Sequence, residues 1–229
     1  MTQRPRGARP VVTQAGKFII IHEESFREVG LSSNVYALES DGRFYLFDAS
    51  GHPDLVSFLK PAGIPPESVE AVFLTHGHAD HVAGLKSLSG AGVDAFIGKE
   101  DAPMLGARLG DAHVRELEEG AAILGALGIE PMATPGHSPG STCFYQRKES
   151  LLISGDTVFA DGCFGRTDLP GGSESAMIAS LRLLCGLGVE SILPGHGQCV
   201  LGEGRSCLSA ALTNATYLLG GDPDAQIGL

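Results

Sequence analysis

Hydrophobic positions fall into short runs rich in β-branched and aromatic residues, separated by longer stretches with helical spacing. KFIIIHE (17–23), SNVYAL (33–38) and RFYLFDA (43–49) predict three successive strands, with DGR turning between the last two. HPDLVSFLKPAG (52–63) predicts a helix, because Pro53 suits a first turn and Gly63 an end. AVFLT (71–75) is a short continuous apolar run that predicts a further strand. HVAGLKSL (81–88) then predicts a short helix and DAFIG (94–98) another strand, whereas residues 101–128 read as mixed helix and loop. After Ile129 the pattern starts again. PMATPGH (131–137), STCFYQ (141–146) and LLISGDT (151–157) predict strands, and SESAMIASLRLLCGL (173–187) an amphipathic helix. ESILPGHG (190–197) predicts a strand running into a loop, and the stretch from Gly202 to about Leu219 a closing helix.

Each half therefore runs strands and then helix, which predicts two similar layers packed sheet to sheet with helices outside. No linker-like segment divides the chain, so a single domain over 17–229 is expected. The polar, Arg/Pro-rich opening MTQRPRGARP predicts a flexible tail over residues 1–16.

Composition narrows the classes. The 229 residues are 43% hydrophobic, enough for a substantial core, and no apolar run approaches the roughly 20 residues that span a bilayer. A formal net charge of −11 repels polyphosphate, so neither nucleic acid nor membrane is an expected partner. Five cysteines, an odd number without C-x-x-C spacing, argue against a disulfide framework and a thiolate zinc knuckle. With no apolar signal core after the opening segment, a cytoplasmic location is expected. A homodimer is the base-rate expectation for assembly.

The chemistry concentrates in THGHADH (75–81), which places three histidines and one aspartate in seven positions. Residues two apart cannot share a helix face, so His76 and His78 belong to a loop at the C-terminal end of a strand. Asp80 and His81 then start the next helix and approach from a different angle. Mixed imidazole and carboxylate donors suit zinc, iron or manganese, whereas calcium prefers all-oxygen sites. Two ions need more than these four ligands. His137 in TPGHSPGS, Asp156 in LLISGDTVF and His196 in LPGHG each follow an apolar run and are flanked by glycine or proline. His22, His52 and His113 lack that setting and read as surface or structural residues.

H-x-H-x-D-H followed by a spaced His, Asp and His resembles the signature of the metallo-β-lactamase superfamily, over about Lys17 to Leu219. The resemblance implies an α/β fold, an αββα four-layer sandwich. It also implies two divalent metal ions, zinc first, with iron or manganese as alternatives. His76, His78 and His137 would hold the first; Asp80, His81 and His196 the second; Asp156 would bridge them. Such a pair, about 3.5–4 Å apart, acidifies a shared water toward neutrality, so no serine or cysteine nucleophile is required. Asp80 is expected to orient that nucleophile as well as ligate. A thiol with pKa about 8.5 leaves without prior protonation, which makes thioesters the least demanding small-molecule substrates.

The segment GDTVFADGCFGRTDLPGGS (155–173) resembles the glyoxalase II-like and persulfide dioxygenase-like branches, where G-R-T-D follows the bridging aspartate. Arg166 could pair with a substrate carboxylate; equally, it could form a local ion pair with Asp168 that orders the loop. One departure stands out. Glyoxalase II carries a C-terminal helical domain for glutathione, whereas only 33 residues follow His196 here. The leading expectation is a glyoxalase II-like thioesterase. Alternatives are a mononuclear iron persulfide dioxygenase, a lactonase or promiscuous β-lactamase, and a non-enzymatic metal-binding protein.

Overall fold

In the computed structural model the described residues are 11–105 and 113–220, the side chains of 27–29 excepted. Seven strands form the first sheet: β1 (Val12–Ala15), β2 (Phe18–Ile21), β3 (Val35–Ser40), β4 (Arg43–Phe47), β5 (Val69–Phe73), β6 (Asp94–Ile97) and β7 (His113–Glu116). They lie side by side in chain order, antiparallel through β4 and parallel from β4 to β7. The second sheet holds β8 (Ile129–Ala133), β9 (Thr142–Gln146), β10 (Leu151–Gly155), β11 (Ser191–Pro194) and β12 (Val200–Leu201). Its order is β12-β11-β10-β9-β8, with only β10 and β11 parallel.

Three buried clusters make this a four-layer αββα sandwich. The middle one lies between the sheets, where Phe18, Phe47, Phe73, Phe96 and Phe144 meet. Phe47 packs on three of these rings, at centroid distances of 5.9, 5.6 and 5.1 Å. Burying each such side chain is worth about 1.5–3 kcal/mol. Alternate residues of the same strands face the other way: Ile21, Val35, Ala37 and Leu46 pack under α1 (Val56–Leu59), α2 (Ala79–Val82), α3 (Leu85–Leu88) and α4 (Ala102–Leu105). Strands buried on both faces read as continuous apolar runs, which is why AVFLT was legible without alternation. A short helix, α5 (Ala121–Ala126), precedes β8. On the far side α6 (Glu174–Cys185) and α7 (Gly204–Leu218) set Met177, Leu181, Leu184, Leu208 and Ala211 on Leu152 and Ile192. No helix among the described residues is long and apolar enough to cross a membrane.

Several boundaries differ from the sequence expectation. The expected 1–16 tail is too long, because Val12–Ala15 pairs antiparallel with Phe18–Ile21 through a turn at Gly16, whose φ is +56°. The segment MTQRPRGARP lies outside the described residues. Strand β7 emerges from the 101–128 stretch, of which 106–112 also lie outside them. PMATPGH leaves the sheet after Ala133, since Pro135 has no N–H to give a ladder and Gly136 takes φ +148°.

Candidate metal centre

The loops after β5, β10 and β11 and the β8–β9 connection open at one edge of the sandwich, and backbone hydrogen bonds lock them together. Thr142 N–H donates to Thr75 O at 2.8 Å, and Gly195 N–H to Gly155 O at 2.8 Å. His76 and His78 occupy the loop after β5, and Asp80 and His81 the first turn of α2. His137 lies between β8 and β9, Asp156 directly after β10, and His196 just beyond β11. The seven residues expected from sequence thus converge, though they span 121 positions of the chain (His76 to His196 inclusive).

Their donor atoms form overlapping sets. His76, His78 and His137 make one, Asp80, His81 and His196 a second, and His76, His81 and Asp156 a third; within each, all donor atoms lie within 4.8 Å of one another. His78 Nδ1 is 3.0 Å from His76 Nε2 and 2.8 Å from His137 Nε2. His196 Nε2 is 3.3 Å from His81 Nε2 and 3.1 Å from Asp80 Oδ2. Asp156 stands between the halves: its Oδ2 is 3.4 Å from His137 Nε2 and 3.6 Å from His196 Nε2, and its Oδ1 is 3.2 Å from His81 Nε2.

The outward nitrogens decide what the inward ones can be. His137 Nδ1–H donates to the Arg166 carbonyl at 2.8 Å, and a carbonyl can only accept. His76 Nδ1–H donates to Thr75 Oγ1 at 3.1 Å, whose own proton goes to Asp48 at 2.9 Å. His81 Nδ1–H donates to Asp48 Oδ2, and His196 Nδ1–H to Glu23 Oε2, both at 2.8 Å. These outward bonds turn the Nε2 atoms of four imidazoles toward one cavity, the arrangement that outer partners impose on metal-ligating histidines. Asp156 Oδ1 is buried with no hydrogen-bond partner, an oxygen that a cation would satisfy. Gly195 is required at this spot, because a Cβ there would sit 2.2 Å from that oxygen. The donor set fits a pair of first-row divalent ions.

Electrostatics separate the two halves. Burial pushes the His76 pKa well below the ordinary histidine value, and the neighbouring imidazoles push it further. Burial and then His137 lower His78. On the other side burial opposes charge, but carboxylates win. Asp48 and Asp156 hold His81 well above its ordinary value, while Asp80 and Glu23 raise His196 to about 9. Asp80 falls to about 2 despite burial, through its bond from His196. Asp156 is likewise lowered against burial, chiefly by His81.

Arg166 pairs within its own loop. Its Nε and Nη2 fork onto Asp168 at 2.9 and 2.8 Å, both side chains are exposed, and its contribution to the centre is the carbonyl that fixes His137. Of the two readings of its side chain, the local pair with Asp168 is the one formed here. His22, His52 and His113 stay out of the centre: His22 bonds Thr13, His52 packs on Phe58, and His113 lies near Asp94.

Sequence reasoning missed three carboxylates that hold the ligands. Asp48 was findable, since it is the lone acid closing the apolar run RFYLFDA, the same strand-end setting as the ligands. Asp101 accepts from Gly77 N–H at 2.9 Å, Gly140 N–H at 2.7 Å and Ser138 Oγ at 2.6 Å, joining the His78 and His137 loops. Neither Asp101 nor Glu23 carries a signal in its local sequence.

Comparison with known proteins agrees. The chain is 40% identical to a hydroxyacylglutathione hydrolase of Ectopseudomonas mendocina over 119 residues, which cover 51% of this chain and 42% of that longer protein. It is 31% identical to the acyl-coenzyme A thioesterase MBLAC2 of Gallus gallus over 218 residues, covering 79% and 78% of the two chains. Among solved structures, the di-iron-bound form of TTHA1623 superposes with a TM-score of 0.63 at 30% identity, over 85% of this chain and 94% of that one. Residues 29–196 match the family model of the metallo-beta-lactamase superfamily, and the chain belongs to that superfamily.

Proposed function

We propose that this chain is a metal-dependent hydrolase of small acyl thioesters, hydroxyacylglutathione-type substrates first. The observation that carries the reading is the convergence of seven donors, four of them imidazoles locked with Nε2 turned inward. A pair of divalent ions in this set supplies acidified water and a Lewis acid for a carbonyl oxygen. His76, His78 and His137 would hold one ion, Asp80, His81 and His196 the other, and Asp156 would be shared.

The side chains then have definite tasks. Asp80, ionised at neutral pH, accepts a hydrogen bond from the attacking water and aims it. Asp48 keeps His81 in one tautomer and, through Thr75, His76 as well. Asp80 is held without a proton, so it offers none to a leaving group, and one that departs as an anion suits the centre best. A thiolate does so. The hydrolase and thioesterase relatives cleave esters of different thiols, which supports the thioester class without fixing the carrier. The donor type suits zinc, our first choice, and equally iron or manganese; the di-iron relative supports iron as the alternative.

The test is thiol release from S-lactoylglutathione and from acyl-coenzyme A esters by protein stripped of metal and reloaded with zinc, iron(II) or manganese. Metal-dependent release without oxygen uptake is expected. Oxygen consumption on glutathione persulfide by a one-iron protein, or no thiol release with any loaded ion, would overturn the proposal.

A further inference from the structure

We propose that Glu23 is a positioning residue for the second ion, fixing His196 so that occupancy of that half of the centre depends on the β2–β3 connection. The inference rests on the two-ion reading above and deepens it. Glu23 lies 173 positions before His196, in a 3-10 turn (Glu23–Val29) that follows β2. One carboxylate grips two consecutive residues: Oε2 accepts from His196 Nδ1–H at 2.8 Å, and Oε1 from Gly197 N–H at 3.2 Å.

Glu23 is itself held. Its N–H donates to Asn34 Oδ1 at 2.8 Å, and Asn34 Nδ2 donates to Pro194 O at 3.0 Å and Gly197 O at 3.1 Å. Asn34 N–H donates to Gly195 O at 2.8 Å, and the Tyr36 hydroxyl donates to Pro194 O. The loop 194–197 is thus clasped by a single limb of the first sheet. Nothing comparable joins Glu23 to His76, His78 or His137.

The contrast with Asp48 gives the proposal its direction. The Asp48–His81 pair is fully buried, whereas the side chains of Glu23 and His196 are 31% and 20% exposed. Of the carboxylates that orient ligands, Glu23 is the one solvent can reach and compete with. A carboxylate behind a ligating imidazole fixes its tautomer and raises its basicity, and losing one costs about 10- to 100-fold in metal affinity. Here that loss falls on one ion only.

The test titrates zinc or cobalt(II) into metal-free wild type, Glu23→Gln and Glu23→Ala, counting bound ions by mass spectrometry and following cobalt absorption. Wild type is expected to bind two ions. In Glu23→Ala the second should weaken by about 10- to 100-fold with the first unchanged, and Glu23→Gln, which keeps an acceptor oxygen, should fall between. A second ion bound by Glu23→Ala as tightly as by wild type overturns the role of Glu23, as does equal weakening of both ions, the mark of a merely structural residue. A wild-type chain that never takes up a second ion overturns the two-ion centre, and with it this role.

Discussion

The two halves of the centre each offer three donors but are braced differently. The three-histidine half is set inside the sandwich: its loops are tied by the fully buried Asp101, and His76 and His78 are driven toward the neutral form by burial. The Asp80–His81–His196 half is crowded with carboxylates, and its histidines are driven toward the cation. Without metal, protons on His81 and His196 occupy the place an ion would take. The difference teaches an order: the neutral half is ready for an ion, while the charged half must first release protons. Asp156 and Asp48 couple the halves, the first from inside the cavity and the second from behind it.

The most damaging change should be at the shared residue. Asp156→Asn keeps the shape but removes the charge that faces His81, His137 and His196. Thiol release should drop on the order of a thousandfold, about 4 kcal/mol of barrier, and the bound-metal count should fall. Retention of two ions and near-normal turnover would break the coupling. Next comes Asp48→Asn, which sets an amide against His81 Nδ1–H and disturbs the Thr75 bond to His76. Because Asp48 stands behind both halves, both ions should weaken, by about 10- to 100-fold. Competition against a chelator reads this out, and selective loss of one ion would show that the halves are independent.

A smaller effect is expected in the pH dependence of the metal-free protein. His196 is raised from 6.5 to about 9, so the stability it contributes is fully present below pH 6.5 and lost as pH rises through 9. Asp80, lowered from 3.8 to about 2, contributes stability present above pH 3.8 and lost as pH falls through 2. The unfolding temperature of stripped protein should therefore fall between pH 6.5 and 9, and loading with metal should flatten that slope. An unchanged slope would remove the claim that protons and ions compete for the second half. The smallest effect is expected at Arg166→Ala: its exposed pair with Asp168 is solvent-screened, and the group that fixes His137 is a backbone carbonyl. Metal content and turnover should be unchanged; a large rise in KM for carboxylate-bearing thioesters would restore the side chain to the substrate.

The ligands were legible because His76, His137, Asp156 and His196 follow apolar runs near glycine or proline, while His78, Asp80 and His81 are packed into the same seven residues as His76. The sandwich was legible because its strands, buried on both faces, leave unbroken apolar runs such as AVFLT. What stayed hidden depends on contacts between distant segments. VVTQA is too short to announce a strand until Phe18–Ile21 lies beside it, and β7 carries exposed His113 and Arg115 on a sheet edge. Glu23 sits in HEES with nothing to mark it, and the sequence left Arg166 open between a substrate carboxylate and Asp168 because that pairing is one of several geometries the loop allows. Long-range clasps leave no local signature.

The most direct test is diffraction at the zinc or iron absorption edge from crystals of the loaded protein. Two anomalous peaks are predicted, one among His76, His78 and His137 and the other among Asp80, His81 and His196, with Asp156 reaching both. A single peak, with Asp80 and His196 turned toward each other and no ion between them, would contradict a shared two-ion centre.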